Sequence, residues 1–373
     1  MKIAYLINGL GYGGAEVQLV RLAEAMAAEG VETTVISMTK PGAFSDKLEK
    51  AGVKVENLGV KRGVTSVAVA WRLARLLRRI RPDILHAFMF HANLAARVTR
   101  AFHRVPVVIC SIRTNNDGGK KRDLLYRLTA GLADMTTHVS RFGRDKYSKL
   151  GAAKPGRLVY MPNGVDTNRF CPDESKRGKT RAALGLSNEF AWIAVGRLTE
   201  AKDHKTLFRA FQSLVNEKPE SVLLLAGKGE LWESLVYLAS ELQIGSKVKF
   251  LGVRDDIPDL LNASDAYVLS SVWEGLPSVL VEAAACGLPI VATDIGGVDD
   301  VIEKDKTGLV VPARDPDSLA RAMLSLQNMP ERERKELGIA ARKKIEAEFS
   351  LDVFKAEWMS LYRKCLEEKK LRL

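Results

Sequence analysis

At 373 residues, with 46% hydrophobic and 27% charged side chains, the chain carries enough apolar material for two domain cores. It lacks the signs of a disordered, collagen-like or disulfide-stapled protein. No run approaches the 18 or so apolar residues that a membrane span requires, and Cys110, Cys171, Cys286 and Cys365 show no CxxC spacing. A zinc site and a disulfide framework are thereby set aside in favour of reduced thiols. The net charge of +12 is unevenly placed: residues 1–165 hold 27 Lys and Arg against 12 Asp and Glu, the remainder 30 against 33. A basic half on a near-neutral half points to an anionic partner: a phospholipid surface, a lipid-pyrophosphate acceptor or nucleic acid. The plainer alternative is a solubilising charge excess. The start, MKIAYLING, is too short an apolar run for a secretory signal and reads as a cytosolic N-terminus.

Short apolar runs alternate with amphipathic stretches along the whole chain, the pattern of βαβ units and parallel sheets. In the first half the runs fall at 3–7, 31–37, 53–57, 84–86, 107–110, 135–139 and 157–160. The second half repeats the alternation at 192–195, 222–226, 248–250, 266–269, 290–292 and 309–311. Between them, 163–185 loses its apolar periodicity and reads as a solvated linker. Three helical segments follow Pro316, near 316–327, 331–347 and 351–367, and the last gathers Val353, Trp358, Leu361 and Tyr362 on a face that should dock on something. The expected fold is α/β: two Rossmann-like, doubly wound domains facing a cleft, with ligands at the C-terminal strand ends.

Four strand ends carry chemistry. The first runs into the glycine loop from Asn8 to Glu16; its spacing is not GxGxxG, but glycines ahead of a helix N-terminus let backbone N–H groups approach an anion. The fourth reaches His86 and then His91, whose spacing and lack of nearby carboxylates apart from Asp83 favour sugar or phosphate hydrogen bonding over a metal. The stretch GRLTEAKDH places Arg197 and Lys202 five residues apart, able to reach two oxygens of one pyrophosphate. Alternatively, it is a solvated loop with Lys202 paired to Asp203. In SSVWEGLPSVLVE, Glu274 lies in a loop and Glu282 on an otherwise apolar helix, where a carboxylate needs partners such as ribose or sugar hydroxyls. The N–H groups around Gly275, Leu276 and Ser278, with Pro277 at the helix start, form a second anion site.

These residues resemble the family-4 group of retaining glycosyltransferases with the GT-B fold (glycosyl transferases group 1) over nearly the whole chain. The motifs are GGAE at 13–16, PNGVD at 162–166, GRLTEAKD at 196–203, AGKGE at 226–230 and the Glu274–Glu282 pair. The resemblance implies an acceptor-binding domain at 1–165, a nucleotide-sugar donor domain at 166–350, and a helix at 351–373 packing back on the first domain. It implies that Arg197 and Lys202 hold the donor pyrophosphate, that Glu282 binds the ribose and that Glu274 contacts the transferred sugar. Gly13 and Gly14 then approach the diphosphate, Gly196, Gly227, Gly275, Leu276, Pro277 and Ser278 line the donor, and no metal or other cofactor is required. Many members carry a His just after the fifth strand; Arg113 stands about there, so Arg113 or His91 takes that catalytic place.

The activity so implied is transfer of a hexose or N-acetylhexosamine from a nucleoside-diphosphate sugar, a UDP-sugar by expectation, to a lipid-linked saccharide in surface-glycan or polysaccharide synthesis. The expected location is cytoplasmic, peripheral on the inner membrane face. The helix at 72–81 sets Leu73, Leu76, Leu77 and Ile80 against a crowd of arginines, and Lys120, Lys121, Arg122 and Arg127 form a second basic cluster. The helix is either an anionic-membrane patch, worth about 1 kcal/mol per cation, or a core helix with a solvated basic face, and the second cluster adds to the membrane reading. Two other functions fit more poorly. A GT-B nucleotide-sugar epimerase has no use for the Glu274–Glu282 segment, and a nucleic-acid binder should interleave aromatics with its basic residues, which this half does not.

Overall fold

The computed structural model describes residues 1–371 except 12, 41, 62–66 and 117, and the chain divides into two compact units. Unit 1 joins Met1–Gly164 to Asp352–Leu373, and unit 2 is Val165–Leu351.

Unit 1 is built on β1 (Lys2–Ile7), β2 (Glu32–Ser37), β3 (Lys54–Asn57), β4 (Ile84–Phe88), β5 (Val107–Ile112), β6 (Met135–His138) and β7 (Leu158–Tyr160). They form one parallel sheet in the order β3-β2-β1-β4-β5-β6-β7. Its helices are α1 (Gly14–Ala28), α2 (Ser45–Lys50), α3 (Val67–Ile80), α4 (Phe90–Arg100), α5 (Lys120–Leu128) and α6 (Arg141–Lys149). Because the strand order reverses at β1 and crossovers are right-handed, α1 and α2 fall on one face and α3 to α6 on the other. The side chains follow: Ala4, Leu6, Leu85 and Ala87 pack with Leu73 and Leu77 of α3 and with α4. Tyr5, His86 and Phe88, alternating with them, point to the opposite face.

That opposite face is covered by the last helix, α14 (Leu351–Lys370). Trp358 is wholly buried with its ring 4.6 Å from His86, the Tyr362 hydroxyl lies 2.8 Å from His86 Nδ1, and it donates to the Tyr5 hydroxyl at 3.2 Å. Ion pairs Lys355–Glu29 and Arg157–Glu368 tie its two ends to the same unit.

Unit 2 holds β8 (Phe190–Val195), β9 (Ser221–Ala226), β10 (Val248–Gly252), β11 (Ala266–Leu269), β12 (Ile290–Asp294) and β13 (Leu309–Pro312), parallel in the order β10-β9-β8-β11-β12-β13. With them come α7 (Glu174–Ala183), α8 (His204–Glu217), α9 (Trp232–Glu241), α10 (Ile257–Ala263), α11 (Ser278–Ala285), α12 (Pro316–Asn328) and α13 (Glu331–Glu348). Trp192, Phe208, Phe211, Leu223, Leu225, Met323 and Leu326 are among the buried residues of its main core.

The solvated linker expected at 163–185 is corrected: residues 174–183 form α7. Asp173 caps it by accepting from the Lys176 N–H, and Arg177 and Arg181 reach Asp265 at 2.5 and 3.2 Å. The helix is held by ionic contacts at long sequence range, so it shows no apolar stripe. Asp203, Asp315 and Ser140 likewise cap α8, α12 and α6 through their side chains.

Candidate functional site

In a doubly wound sheet ligands gather where the strand order reverses. In unit 2 that point lies between β8 and β11, and the loops leaving those strands carry Arg197, Lys202 and Glu274. The glycines make the close approach possible. Gly196, ending β8, has φ 156°, and a Cβ there would stand 2.8 Å from Lys202 Cε; Gly227, ending β9, has φ 143°, and its Cβ would lie 1.9 Å from the Gly196 carbonyl oxygen. Backbone stitching then fixes the two loops together: the Val272 N–H donates to the Ala201 carbonyl at 2.9 Å, and the Ser270 hydroxyl to the Lys202 carbonyl at 2.7 Å.

On that frame Lys202 Nζ sits 2.7 Å from Glu274 Oε1, which also accepts from the Ser271 hydroxyl at 3.1 Å. Lys202 therefore does not pair with Asp203, the partner given by the solvated-loop reading. Asp203 instead takes a left-handed conformation (φ 45°) and caps α8. The Lys202 and Glu274 side chains keep 16% and 20% of their exposure, enough to exchange partners with an entering ligand. Arg197 is exposed, a cation available to solution. Gly275, Leu276 and Pro277 are buried ahead of α11, and Glu282 projects half-buried from its second turn.

Electrostatics ties these groups together. Burial, followed by the charges of Glu274 and Glu282, raises the Tyr267 phenol far above its usual range, so both carboxylates act on one buried hydroxyl on β11. Burial and the Lys202 charge push His204 down to about 3, leaving it neutral. Cys286 is a buried residue closing α11, as its apolar setting implies.

In unit 1 the order reverses between β1 and β4. Asn8 Oδ1, at the end of β1, accepts from the Ala92 N–H at 3.0 Å and joins the glycine loop to the start of α4. Gly13 caps α1 and Gly14 begins it; Tyr12, within this loop, lies outside the described residues. The Glu16 carboxylate folds back over Gly13, where a Cβ would be 2.3 Å from Oε2. The N-terminus of α1 thus carries its own carboxylate. Arg113, one residue beyond β5, donates to Asn163 and lies over the Phe88 ring at 5.6 Å; burial lowers its proton affinity and Glu16 raises it.

His91 is half-buried on α4, edge-on to Phe90 at 5.3 Å between ring centres. Burial and the Arg122 charge lower its pKa, so it is neutral near pH 7. Met89, just before it, holds φ 74° without being glycine, a strained conformation of the kind that gathers at functional sites. His86 is buried among Tyr362, Ser111 and aromatic rings, and burial holds it well below its usual range. His138 is also buried and is lowered to about 4. Both serve packing. Sequence reasoning singled out neither Ser271 nor Tyr267 nor Asn163; the signal for Asn163 was its place in PNGVD.

Two family models match: "Glycosyl transferases group 1" over residues 176–344 and "Glycosyl transferase 4-like domain" over residues 13–164. Over 263 residues, 68% of each chain, the sequence is 30% identical to the UDP-Gal:alpha-D-GlcNAc-diphosphoundecaprenol alpha-1,3-galactosyltransferase of Escherichia coli. It is 32% identical to the GDP-mannose-dependent alpha-(1-6)-phosphatidylinositol monomannoside mannosyltransferase of Mycolicibacterium smegmatis, over 56% of this chain and 57% of that one. Among solved structures, Anabaena Alr3699/HepE in complex with UDP superposes with TM-score 0.86 at 21% identity, covering 98% of this chain and all of that one. The chain belongs to the group 1 glycosyltransferases and has their GT-B fold of two Rossmann-like domains.

Proposed function

We propose that the chain is a retaining transferase that moves a hexose or N-acetylhexosamine from a UDP-sugar to a lipid-linked saccharide in surface-glycan synthesis. The observation that carries this reading is the Lys202–Glu274 pair at the strand reversal of unit 2, with exposed Arg197 on the same loop as Lys202 and Glu282 acting with Glu274 on Tyr267. Two cations suit a pyrophosphate, and two carboxylates suit the hydroxyls of a ribose and a sugar. The E. coli relative, named for UDP-Gal and a diphosphoundecaprenol-linked acceptor, supports the donor and acceptor classes.

In this scheme Glu282 binds the ribose, and Glu274 leaves Lys202 to contact the transferred sugar. Arg197 and Lys202 then offset the charge that develops on the leaving diphosphate. The bond from the anomeric carbon to the phosphate oxygen breaks while the bond to the acceptor oxygen forms on the same face. The acceptor proton passes to the departing phosphate oxygen, so no protein base and no metal are needed. Most of the rate enhancement is positioning and charge stabilisation. On unit 1, Gly13 and Gly14 let an anion come close to the start of α1, the Gly13 N–H itself being donated to the Gly11 carbonyl, and Arg113 or His91 takes the catalytic place of the family's histidine, Arg113 by binding an acidic group on donor or acceptor. The enzyme works on the cytoplasmic face, held peripherally to an anionic membrane.

A thermal-shift panel of UDP, GDP, ADP and their common sugars, with EDTA present, tests the donor. A rise selective for uridine nucleotides is expected, because a ligand bound only to the folded state raises its stability by mass action. No shift with any nucleotide at millimolar concentration refutes the donor site, and a rise only after adding divalent metal refutes metal independence.

A further inference from the structure

The surface of unit 1 divides sharply in both charge and polarity. The helices on one sheet face carry four cations on α3, four on α5 and four on α6, with Arg100 on α4, whose Arg97 is buried, against one acid each on α5 and α6. On the other face, α1, α2 and α14 balance cations with acids almost one for one. Among the described residues, every large apolar side chain that unit 1 exposes away from its termini also lies on or beside α3 to α6. They are Trp71, Phe102, Leu124, Leu125, Leu128 and Phe142.

The sequence had placed leucines and arginines together on α3, but Leu73 and Leu77 there are wholly buried and serve the core. Helix α5 is the inverse case. Its one buried residue is Tyr126, which packs with Phe90 and Tyr147, while Leu124, Leu125 and Leu128 face outward, Leu128 being 71% exposed. Lys121, Leu124, Leu125 and Leu128 fall on one stripe at i, i+3, i+4 and i+7, with Lys120 beside it. The helix is anchored from beneath, since buried Arg97 donates to the Tyr126 carbonyl at 3.0 Å. At its first turn Arg122 lies over Phe90 at 4.7 Å and acts electrostatically on His91. The exposed leucines therefore share a rigid element with the proposed acceptor side.

We infer that the α3–α6 face docks on an anionic bilayer, with Leu124, Leu125 and Leu128 entering the acyl boundary and the flanking cations meeting lipid phosphates. The net positive charge opposes a second copy of this chain on the same face, and phosphates of a nucleic acid give the leucines nothing to bury against. This deepens the proposed lipid-linked acceptor and rests on that reading, since a bound bilayer presents such an acceptor to the side of the unit that bears His91.

The test is co-sedimentation with vesicles of equal parts phosphatidylglycerol and phosphatidylcholine, compared with phosphatidylcholine alone. The wild type is compared with Leu124→Glu/Leu128→Glu and with Lys120→Glu/Lys121→Glu. Binding to the anionic vesicles, weakened by salt and at least about tenfold weaker in the leucine variant even at low salt, is expected. Failure of the wild type to sediment, or unchanged binding by the leucine variant, overturns the inference. So does a dimer that the leucine variant disrupts, or oligonucleotide binding that it abolishes, since each names another occupant. The UDP thermal shift, measured on the same samples, separates the two proposals. An intact shift without vesicle binding sinks only the membrane face, and vesicle binding without any nucleotide shift sinks only the donor reading.

Discussion

Replacing Lys202 by Ala isolates what the Lys202–Glu274 pair contributes. At 2.7 Å and an effective dielectric constant of about 20, the gross attraction is about 6 kcal/mol. Desolvation of two side chains that keep 16% and 20% exposure takes back most of it, leaving about 1–2 kcal/mol for the loss of one partner. Glu274 keeps the Ser271 hydroxyl, which softens the penalty further. In the proposed reaction Lys202 faces a diphosphate whose charge grows toward the transition state, and loss of such a donor costs about 3 kcal/mol, roughly 150-fold in kcat/KM. The variant should thus lose much more rate than stability. Urea unfolding and steady-state kinetics on the same preparation read both quantities, and Lys202→Ala, Glu274→Ala and the double variant complete a cycle. Stabilities less than additive by about 1–2 kcal/mol are expected for a contacting pair. Turnover within threefold of wild type, or strict additivity, refutes the reasoning.

Arg197→Ala should leave the unfolding midpoint unchanged, because the side chain is exposed, while lowering kcat/KM by roughly a hundredfold. Gly227→Ala forces a Cβ onto the Gly196 carbonyl and should lower the stability of unit 2 by at least about 2 kcal/mol and abolish nucleotide thermal shifts. His86, His138 and His204 are all held below their usual pKa by burial, two of them at about 4 and about 3. Their contribution to stability is complete above pH ~6.5, where the unfolded chain is also neutral, and is lost as the pH falls from there toward the folded values. Stability should drop by about 1.4 kcal/mol per pH unit for each of them below pH 6, and His138→Asn should flatten the slope measured from urea midpoints. Trp358→Ala, which empties a wholly buried site, should cost about 3–5 kcal/mol, read as early melting of unit 1.

The parallel sheets were the most legible part of the chain. Strands buried on both faces read as unbroken apolar runs, so 3–7 and 222–226 anticipate β1 and β9 within a residue or two. The glycine loops and Glu274 were equally visible, since each follows closely on such a run. Contacts between distant segments were not. Lys202 and Glu274 are separated by 72 positions and meet only because β8 and β11 are neighbours at the strand reversal. Helix α7 was read as linker because its sequence, ESKRGKTRAA, offers no apolar face, and the Asp265 that holds Arg177 and Arg181 lies more than 80 residues away. The outward leucines of α5 were hidden for the opposite reason: in a sequence pattern, leucines on an amphipathic helix signal core.

The return of α14 to unit 1 has a consequence for the order in which the protein is made. Every residue of unit 2 is synthesised before Trp358 and Tyr362. Until then the face of β1 and β4 that bears Tyr5, His86 and Phe88 lacks its cover. The unit translated first is therefore completed last, and a chain released after residue 351 would present a finished second unit and an unclosed apolar sheet, the species on which a holdase chaperone would act.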